Sequence, residues 1–191
     1  MFKKIVLGGI IGGVIVFIAL SIVHMASGLG EVGVKSLPAE GILGPAMHLA
    51  IHEPGFYFFP APDMAPGKTK EQKDAAQKQW EEKWRKGPTG ILIYSPGGTP
   101  FSFGKLLTNQ FVICLAAASL IAWLLAMAGG GLQSYGSKVL FVAIVGLFAG
   151  VFVDLPYWNW YGFPADYTIT RIVTDAVCWA IAGLGMAKVM K

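Results

Sequence analysis

Two ionisable side chains of opposite charge, Arg171 and Asp175, lie four residues apart inside an apolar stretch near the C-terminal end of the sequence. On a helix, residues at this spacing are neighbours on one face. A charged side chain in the middle of a membrane-spanning helix costs about 2.5–3.5 kcal/mol, so it normally faces protein or a cavity. We therefore interpret the two residues as an intramembrane ion pair, or as a proton or ion relay to which Asp154 contributes a further step.

Histidines form a second candidate site. His48 and His52 are also four residues apart, and Glu53 follows them directly. Because Pro45 confines a regular helix to the residues after it, we expect both imidazoles on one face of a short helix. Together with His24, at the end of the first apolar stretch, they are ligand types that suit zinc, copper or haem iron. The H-E-x-x-H register and a cysteine ligand are absent, so no cofactor is predicted, and a metal site stays an alternative.

Aromatic side chains mark a third region. Trp158 and Trp160 belong to an aromatic cluster between Pro156 and Pro164. Aromatic rings with a polar atom settle at the headgroup level of a bilayer, so the cluster is typical of an interfacial belt followed by a tight turn. The alternative is an aromatic lip for an apolar ligand such as a quinone or a lipid tail.

The sequence lacks the common motifs of catalysis and nucleotide binding. A G-x-S-x-G elbow is absent, and the glycine-rich pieces at 95–98 and 129–131 lack the Lys-Ser/Thr end of a phosphate loop. Seven of the fifteen cations lie between residues 68 and 86 together with four acids, which is typical of a solvated face. We therefore expect a non-catalytic protein that binds neither nucleotides nor nucleic acid.

Four apolar stretches near bilayer-spanning length organise the chain. They cover residues 5–23, 106–127, 139–153 and 172–187. With 54% hydrophobic and only 14% charged residues, the composition places the protein in the membrane class. The first stretch exceeds the roughly 7–15 apolar residues of a signal peptide, so we expect an uncleaved span. The prediction is an all-α membrane protein with transmembrane helix 1 in residues 1–27 and, within residues 105–191, helices 2 to 4 at about 105–128, 138–155 and 167–188.

Lysines next to these stretches predict an orientation. Lys3, Lys4, Lys138, Lys188 and Lys191 would all lie on one side of the membrane, without an acid beside them. Positive charge next to a span is retained in the cytoplasm. We therefore expect cytoplasmic termini and an extracytoplasmic loop of residues 28–104.

Small residues recur at helix-packing spacing within the stretches. They are Gly8/Gly12, Gly9/Gly13, Gly146/Gly150 and the run Ala116, Ala117, Ala118, Ser119 with Ala122. Such residues let helix backbones approach closely. They predict either a compact bundle of the chain's own helices or close packing on a partner, and the sequence leaves both open.

The loop of residues 28–104 is too long and too patterned to be a linker. Apolar runs at about 56–59 and 90–94 predict short strands, and good helix formers predict a helix at about 70–86. The loop is therefore expected to be a small α+β domain.

The predicted loop helix has an apolar stripe. Ala76, Trp80 and Trp84 recur every four residues, and Thr69 with Gln72 forms a possible capping box at the start of the helix. The stripe is expected to cover the two strands. The alternatives are docking on a partner subunit and contact with the outer headgroup layer.

Three blocks of the sequence resemble blocks of small, uncharacterised bacterial four-span inner-membrane proteins with a long extracytoplasmic loop. They are EPGFYFFP at 53–60, GPTGILIY at 87–94 and PYWNWYGFP at 156–164. The resemblance implies a bacterial inner-membrane location. It implies no activity, ligand or catalytic residue.

From these features we expect an accessory or structural subunit of a larger bacterial membrane complex, such as an energy-transducing one. Its partners would be the lipid bilayer and other membrane subunits. The first alternative is a small transporter, or a protein that binds a quinone or lipid on the Arg171/Asp175 face. The second is a metal or haem redox component built on His24, His48 and His52.

Overall fold

A computed structural model describes residues 1–63, 65–98 and 100–190. Lys191, one of the lysines used to predict the orientation, lies outside the described residues. The chain divides into two compact units, Met1–Lys35 with Pro100–Lys191, and Ser36–Thr99. We call them the helical unit and the loop unit, and each is described by itself.

The secondary structure is mostly helical. In chain order the elements are α1 (Phe2–Met25), a 3₁₀ turn (Leu29–Glu31), α2 (Glu40–Ala50), β1 (Gly55–Phe59), α3 (Lys70–Lys86), β2 (Gly90–Tyr94), α4 (Phe103–Ala128), a 3₁₀ turn (Gly129–Gly131), α5 (Tyr135–Tyr161) and α6 (Ala165–Val189). Four of the helices, α1, α4, α5 and α6, are long and apolar enough to cross a membrane. The predictions of a mostly helical chain with four long apolar helices that could span a membrane, and of a small sheet, are confirmed.

In the helical unit, α1 lies between α4 and α6, while α5 packs on the other side of α6. Neighbouring helices are antiparallel, since Gly9 and Gly13 of α1 face Ser119 and Leu115 of α4 in reversed order. The unit therefore has two ends. We call the end where α1 stops and α4 begins the loop end, and the end where α1 begins and α6 stops the terminal end.

The small residues singled out in the sequence lie at contacts between the chain's own helices. A Cβ added at Gly12 would lie 2.6 Å from Sδ of Met186, and one added at Gly146 would lie 2.6 Å from Cβ of Trp179. The space at these positions is large enough only for the hydrogen atom of a glycine, so the glycines allow the helix backbones to approach closely. Between the two interpretations of the glycine stripes, the structure supports packing within the bundle.

Two groups of buried side chains form the core of the helical unit. Val16, Cys114, Cys178 and Ala182 pack nearer the loop end, and Ile121, Ala122, Leu125, Val142 and Met186 pack nearer the terminal end. Both cysteines are free and buried. They act as small apolar residues that fit between closely spaced helices.

Helix α5 is longer than predicted. The prediction ended the third span near residue 155 and placed Trp158 and Trp160 beside a tight turn, but the helix continues through Pro156 to Tyr161. A proline inside a membrane helix removes one backbone hydrogen bond without ending the helix. The helix stops instead at Gly162, whose left-handed conformation at φ 71° forms the cap.

The loop unit contains a two-stranded antiparallel sheet covered by a helix. Strands β1 and β2 pair from Gly55 with Tyr94 to Phe59 with Gly90. Helix α3 begins at Thr69, where both bonds of the capping box with Gln72 are present. The strands and the helix lie where the sequence patterns predict them.

Helix α2 differs from its prediction. It begins at Glu40, before Pro45, and stops at Ala50, because Ile51 is extended with φ −123° and ψ 110°. His52 therefore lies beyond the helix, whereas His48 lies in its last turn. The two imidazoles do not share a helix face, and that part of the metal-site prediction is wrong.

Candidate functional site

A cavity of about 300 Å³ opens at the loop end of the helical unit, between α1, α4 and α6. It is lined by Phe17, Leu20, Ser21, His24, Met25, Phe103, Leu107, Gln110, Arg171 and Asp175. Half of the lining is aromatic or aliphatic, and the other half is polar or charged. The cavity is thus amphipathic.

Helical periodicity brings these side chains together. On α1, Phe17, Ser21 and His24 follow each other at spacings of four and three residues and share one face. On α6, Arg171 and Asp175 are one turn apart. The two faces meet because α1 packs directly on α6.

Arg171 contacts His24 across the cavity. Its Nη1 lies 3.1 Å from Nε2 of His24. A guanidinium has donors and no acceptor, so it donates to Nε2, and in this arrangement the ring proton of His24 is on Nδ1. The sequence assigned His24 to a metal site and Arg171 to an ion pair, but the structure brings the two together.

Two carboxylates belong to the predicted ion pair or relay. Arg171 lies within electrostatic range of both Asp175 and Asp154. None of the salt bridges within 4.0 Å among the described residues involves Arg171. Arg171 and Asp175 therefore both line the cavity without a direct ion pair between them, whereas Asp154 lies outside the lining.

The cavity is closed towards the terminal end. Cys114 and Cys178, with Val16 and Ala182, pack into the tight cluster below it. Gln110 donates from Nε2 to Sγ of Cys114 at 3.6 Å, which ties its amide to the floor of the cavity. A ligand therefore has no route into the cavity from the terminal end.

The predicted metal ligands lie in different units. His24 belongs to the helical unit, and His48, His52 and Glu53 belong to the loop unit. In the part of the chain that the structure describes, no three His, Cys, Asp or Glu side chains are grouped so that they could hold a metal ion. A metal site built from these four residues stays a prediction.

Trp80 and Trp84 cover the sheet of the loop unit. Trp80 donates from Nε1 to the carbonyl oxygen of Pro60 at 2.9 Å, and the Trp84 ring stacks on Phe58 at a centroid distance of 5.8 Å. The apolar stripe of α3 therefore covers the two strands, which is the arrangement expected from the sequence. Trp84 remains 38% exposed, so an edge of the stripe is still open to a partner or to headgroups.

Trp158 and Trp160 lie outside the cavity. Both are on the surface of α5, 49% and 70% exposed, and they border a shallow groove with Phe152 and Leu155. The polar residues of the cavity are on other helices. An interfacial belt therefore remains the interpretation of the two tryptophans. They do not line the cavity.

Comparisons of the chain with profiles of known protein families, with curated proteins and with solved structures find no match. Its class follows from its own features. Four helices long and apolar enough to cross a membrane, with an amphipathic cavity among three of them, are the features of a multi-pass membrane protein with a candidate ligand site.

Proposed function

We propose that this multi-pass membrane protein binds a neutral amphipathic molecule from the membrane, of the quinone or polar-lipid class, in the loop-end cavity, and does so without catalysis. The supporting observation is the cavity itself, in which Arg171, Asp175, His24 and Gln110 face aromatic and aliphatic side chains. Arg171 and Asp175 are half-buried within an apolar bundle, and ionisable groups there are costly unless a function or a partner retains them.

The charges of the site favour a neutral head. Arg171 and Asp175 both line the cavity, so an anionic head would meet Asp175 and a cationic head would meet Arg171. A carbonyl or hydroxyl group avoids both conflicts. It would accept hydrogen bonds from Arg171 or Gln110, and a hydroxyl would also donate to Asp175.

The size of the site fits a head group alone. About 300 Å³ is at the small end of ligand pockets. The ring of a quinone would fit against Phe17 and Phe103, and its tail would remain in the lipid. Phe103 and Met25 are exposed at the loop end, where such a molecule would enter.

The test is binding of a short-tailed benzoquinone to the purified protein in lipid nanodiscs, measured by equilibrium dialysis. Loss of a charged hydrogen-bond partner in Arg171→Gln or Asp175→Asn should weaken binding roughly tenfold. Lys105→Gln and Asp166→Asn are the matched controls, since they change the same charges at the loop end outside the cavity lining. Equal affinity in all four variants would contradict the proposal.

A proton or ion relay through the same residues is a second candidate. It is favoured by the mutual electrostatic range of His24, Arg171, Asp154 and Asp175. Proton flux into proteoliposomes, compared between the parent and Asp175→Asn, tests it. Unchanged flux in the variant would remove the relay.

The role of accessory subunit in a larger bacterial membrane complex is a further candidate, supported by an apolar groove of about 320 Å³ between α1 and α6. Ile18, Ile22 and Ile181 line its exposed walls, where a partner helix could pack. Native electrophoresis after gentle solubilisation tests this role. A monomer as the sole species would count against it.

We also propose a bacterial inner-membrane location with cytoplasmic termini and an extracytoplasmic loop unit. The support is the placement of Lys3, Lys4, Lys138 and Lys188 at the terminal end, together with the sequence resemblance described above.

A further inference from the structure

A second polar pocket, of about 390 Å³, lies at the opposite, terminal end of the helical unit. Its lining comes from the start of α1, the connection between α4 and α5, and the end of α6. The residues are Met1, Lys4, Leu125, Ala126, Gly129, Leu132, Gln133, Lys138 and Met190. None of them belongs to the loop-end cavity, and the proposed function above does not use them.

Lysines concentrate at this end. Lys3, Lys4, Lys138 and Lys188 lie here. The described acids of the helical unit are Glu31, Asp154, Asp166 and Asp175, and all of them lie in the loop-end half or beyond it. An anion that enters the pocket therefore meets a net positive charge from the described side chains.

Lys138 is the informative residue of the pocket. Its side chain is half-buried, and in the described part of the chain no carboxylate lies within 4.0 Å of its ammonium group. A partly buried ammonium group is stabilised by an anionic partner. Lys4 from α1 lines the same pocket, so two cations from different helices face one space.

The other walls define the kind of anion. Leu125, Ala126 and Leu132 form an apolar side, and the Gln133 amide offers a neutral donor. The pocket lies where α4 stops at Ala128 and α5 begins at Tyr135, which is the level at which membrane helices meet the headgroup layer. A lipid phosphate is found at this depth, with its apolar part directed along the helices.

We propose that this pocket binds the phosphate head group of an anionic phospholipid, with Lys138 as its cationic contact and Gln133 as an added donor. Basic pockets between transmembrane helices are known to select such head groups. The site is separate from the loop-end cavity and does not depend on the orientation of the protein.

The test uses the full chain in detergent and follows thermal unfolding with a thiol-reactive dye, which reports exposure of the buried Cys114 and Cys178. Phosphatidylglycerol, phosphatidylcholine and sodium phosphate are titrated in separate arms. The parent should be stabilised by phosphatidylglycerol, with little effect of phosphatidylcholine or phosphate. Lys138→Gln should weaken the apparent affinity for phosphatidylglycerol about fivefold.

Lys188→Gln is the matched control, because Lys188 lies at the same end and outside the pocket lining. It should retain the affinity of the parent, and Lys138→Arg should retain most of it. If Lys138→Gln unfolds without lipid, Gln133→Leu provides the second variant and should weaken affinity less strongly. Equal losses in Lys138→Gln and Lys188→Gln would overturn the site in favour of general surface attraction. Saturation by phosphate alone would overturn the lipid assignment.

Discussion

At the scale of single residues, Gly13 is the α1 glycine whose added Cβ would lie nearest to the backbone of α4. A Cβ added there would lie 2.8 Å from Cα of Leu115, a backbone atom that cannot rotate away. We predict that Gly13→Ala destabilises the protein by about 1–3 kcal/mol, because α1 must move off α4. Unfolding in detergent by a denaturant titration would measure the loss.

The matched control is Gly104→Ala in α4, where nothing lies within 4 Å of the added Cβ. Alanine has the higher helix propensity, so this variant should be neutral or more stable. If Gly13→Ala were equally harmless, close approach of α1 and α4 at this position would be refuted.

Part of the cavity could be predicted residue by residue. Arg171 and Asp175 stand out in the sequence because charge inside an apolar stretch is costly. Gln110 gives a weaker signal of the same kind, because it is a polar amide inside the second apolar stretch. It was not predicted as a site residue. The partner of Arg171 could not be found this way, since His24 is 147 residues distant and helix pairing is not encoded by local spacing.

At the scale of elements, α3 depends on its N-terminal cap. The Thr69 hydroxyl accepts from the Gln72 backbone amide at 3.3 Å, and the Gln72 side chain accepts from the Thr69 amide at 2.9 Å. We predict that Thr69→Ala destabilises α3 by about 1 kcal/mol. Hydrogen exchange at the amides of its first turn would increase, whereas Thr69→Ser, which keeps the oxygen, should stay close to the parent.

The start of α3 also gives a prediction of pH dependence. The pKa of Glu71 is held below its ordinary value of 4.5, first by its own backbone N–H and then by the Thr69 hydroxyl. The unfolded chain therefore binds this proton more readily than the folded chain. The contribution of Glu71 to the free energy of unfolding is present above about pH 4.5 and is lost as the pH falls through the lowered pKa.

Thermal unfolding followed from pH 7 to pH 3 would measure this contribution. The difference in midpoint between the parent and Glu71→Gln should be largest near neutral pH and should shrink in acid. Asp63, whose pKa is lowered by Lys68 and then by the Ala65 amide, provides a second group with the same sign. A difference that grew in acid would contradict the assignment.

Element types were more predictable than element ends. The β-rich runs and the capping box mark β1, β2 and α3, because these signals are local. The proline signals at Pro45 and Pro156 were misleading. In both cases the helix continues through the proline, since neighbouring backbone bonds outweigh the single one that is lost.

At the scale of the whole molecule, the two ends of the helical unit differ in chemistry. The loop end combines Arg171 and His24 with carboxylates, and the described charged side chains of the terminal end are lysines. The length and apolarity of the helices predicted four spans. The order α4, α1, α6, α5 in space could not be predicted, because similar glycine faces occur on several helices and each of them could pair with any other.

Orientation in the membrane can be measured with cysteines introduced at the two ends, Lys105→Cys at the loop end and Lys188→Cys at the terminal end. The native Cys114 and Cys178 are buried, so they should not react in the folded protein, and the parent chain is the control. Lysines beside spans are retained in the cytoplasm because moving them across the membrane is costly. A membrane-impermeant maleimide added to intact bacterial cells with a permeable outer membrane should therefore label Lys105→Cys, and it should label Lys188→Cys after the inner membrane is opened. The reverse pattern would place the loop unit in the cytoplasm and the loop-end cavity on that side.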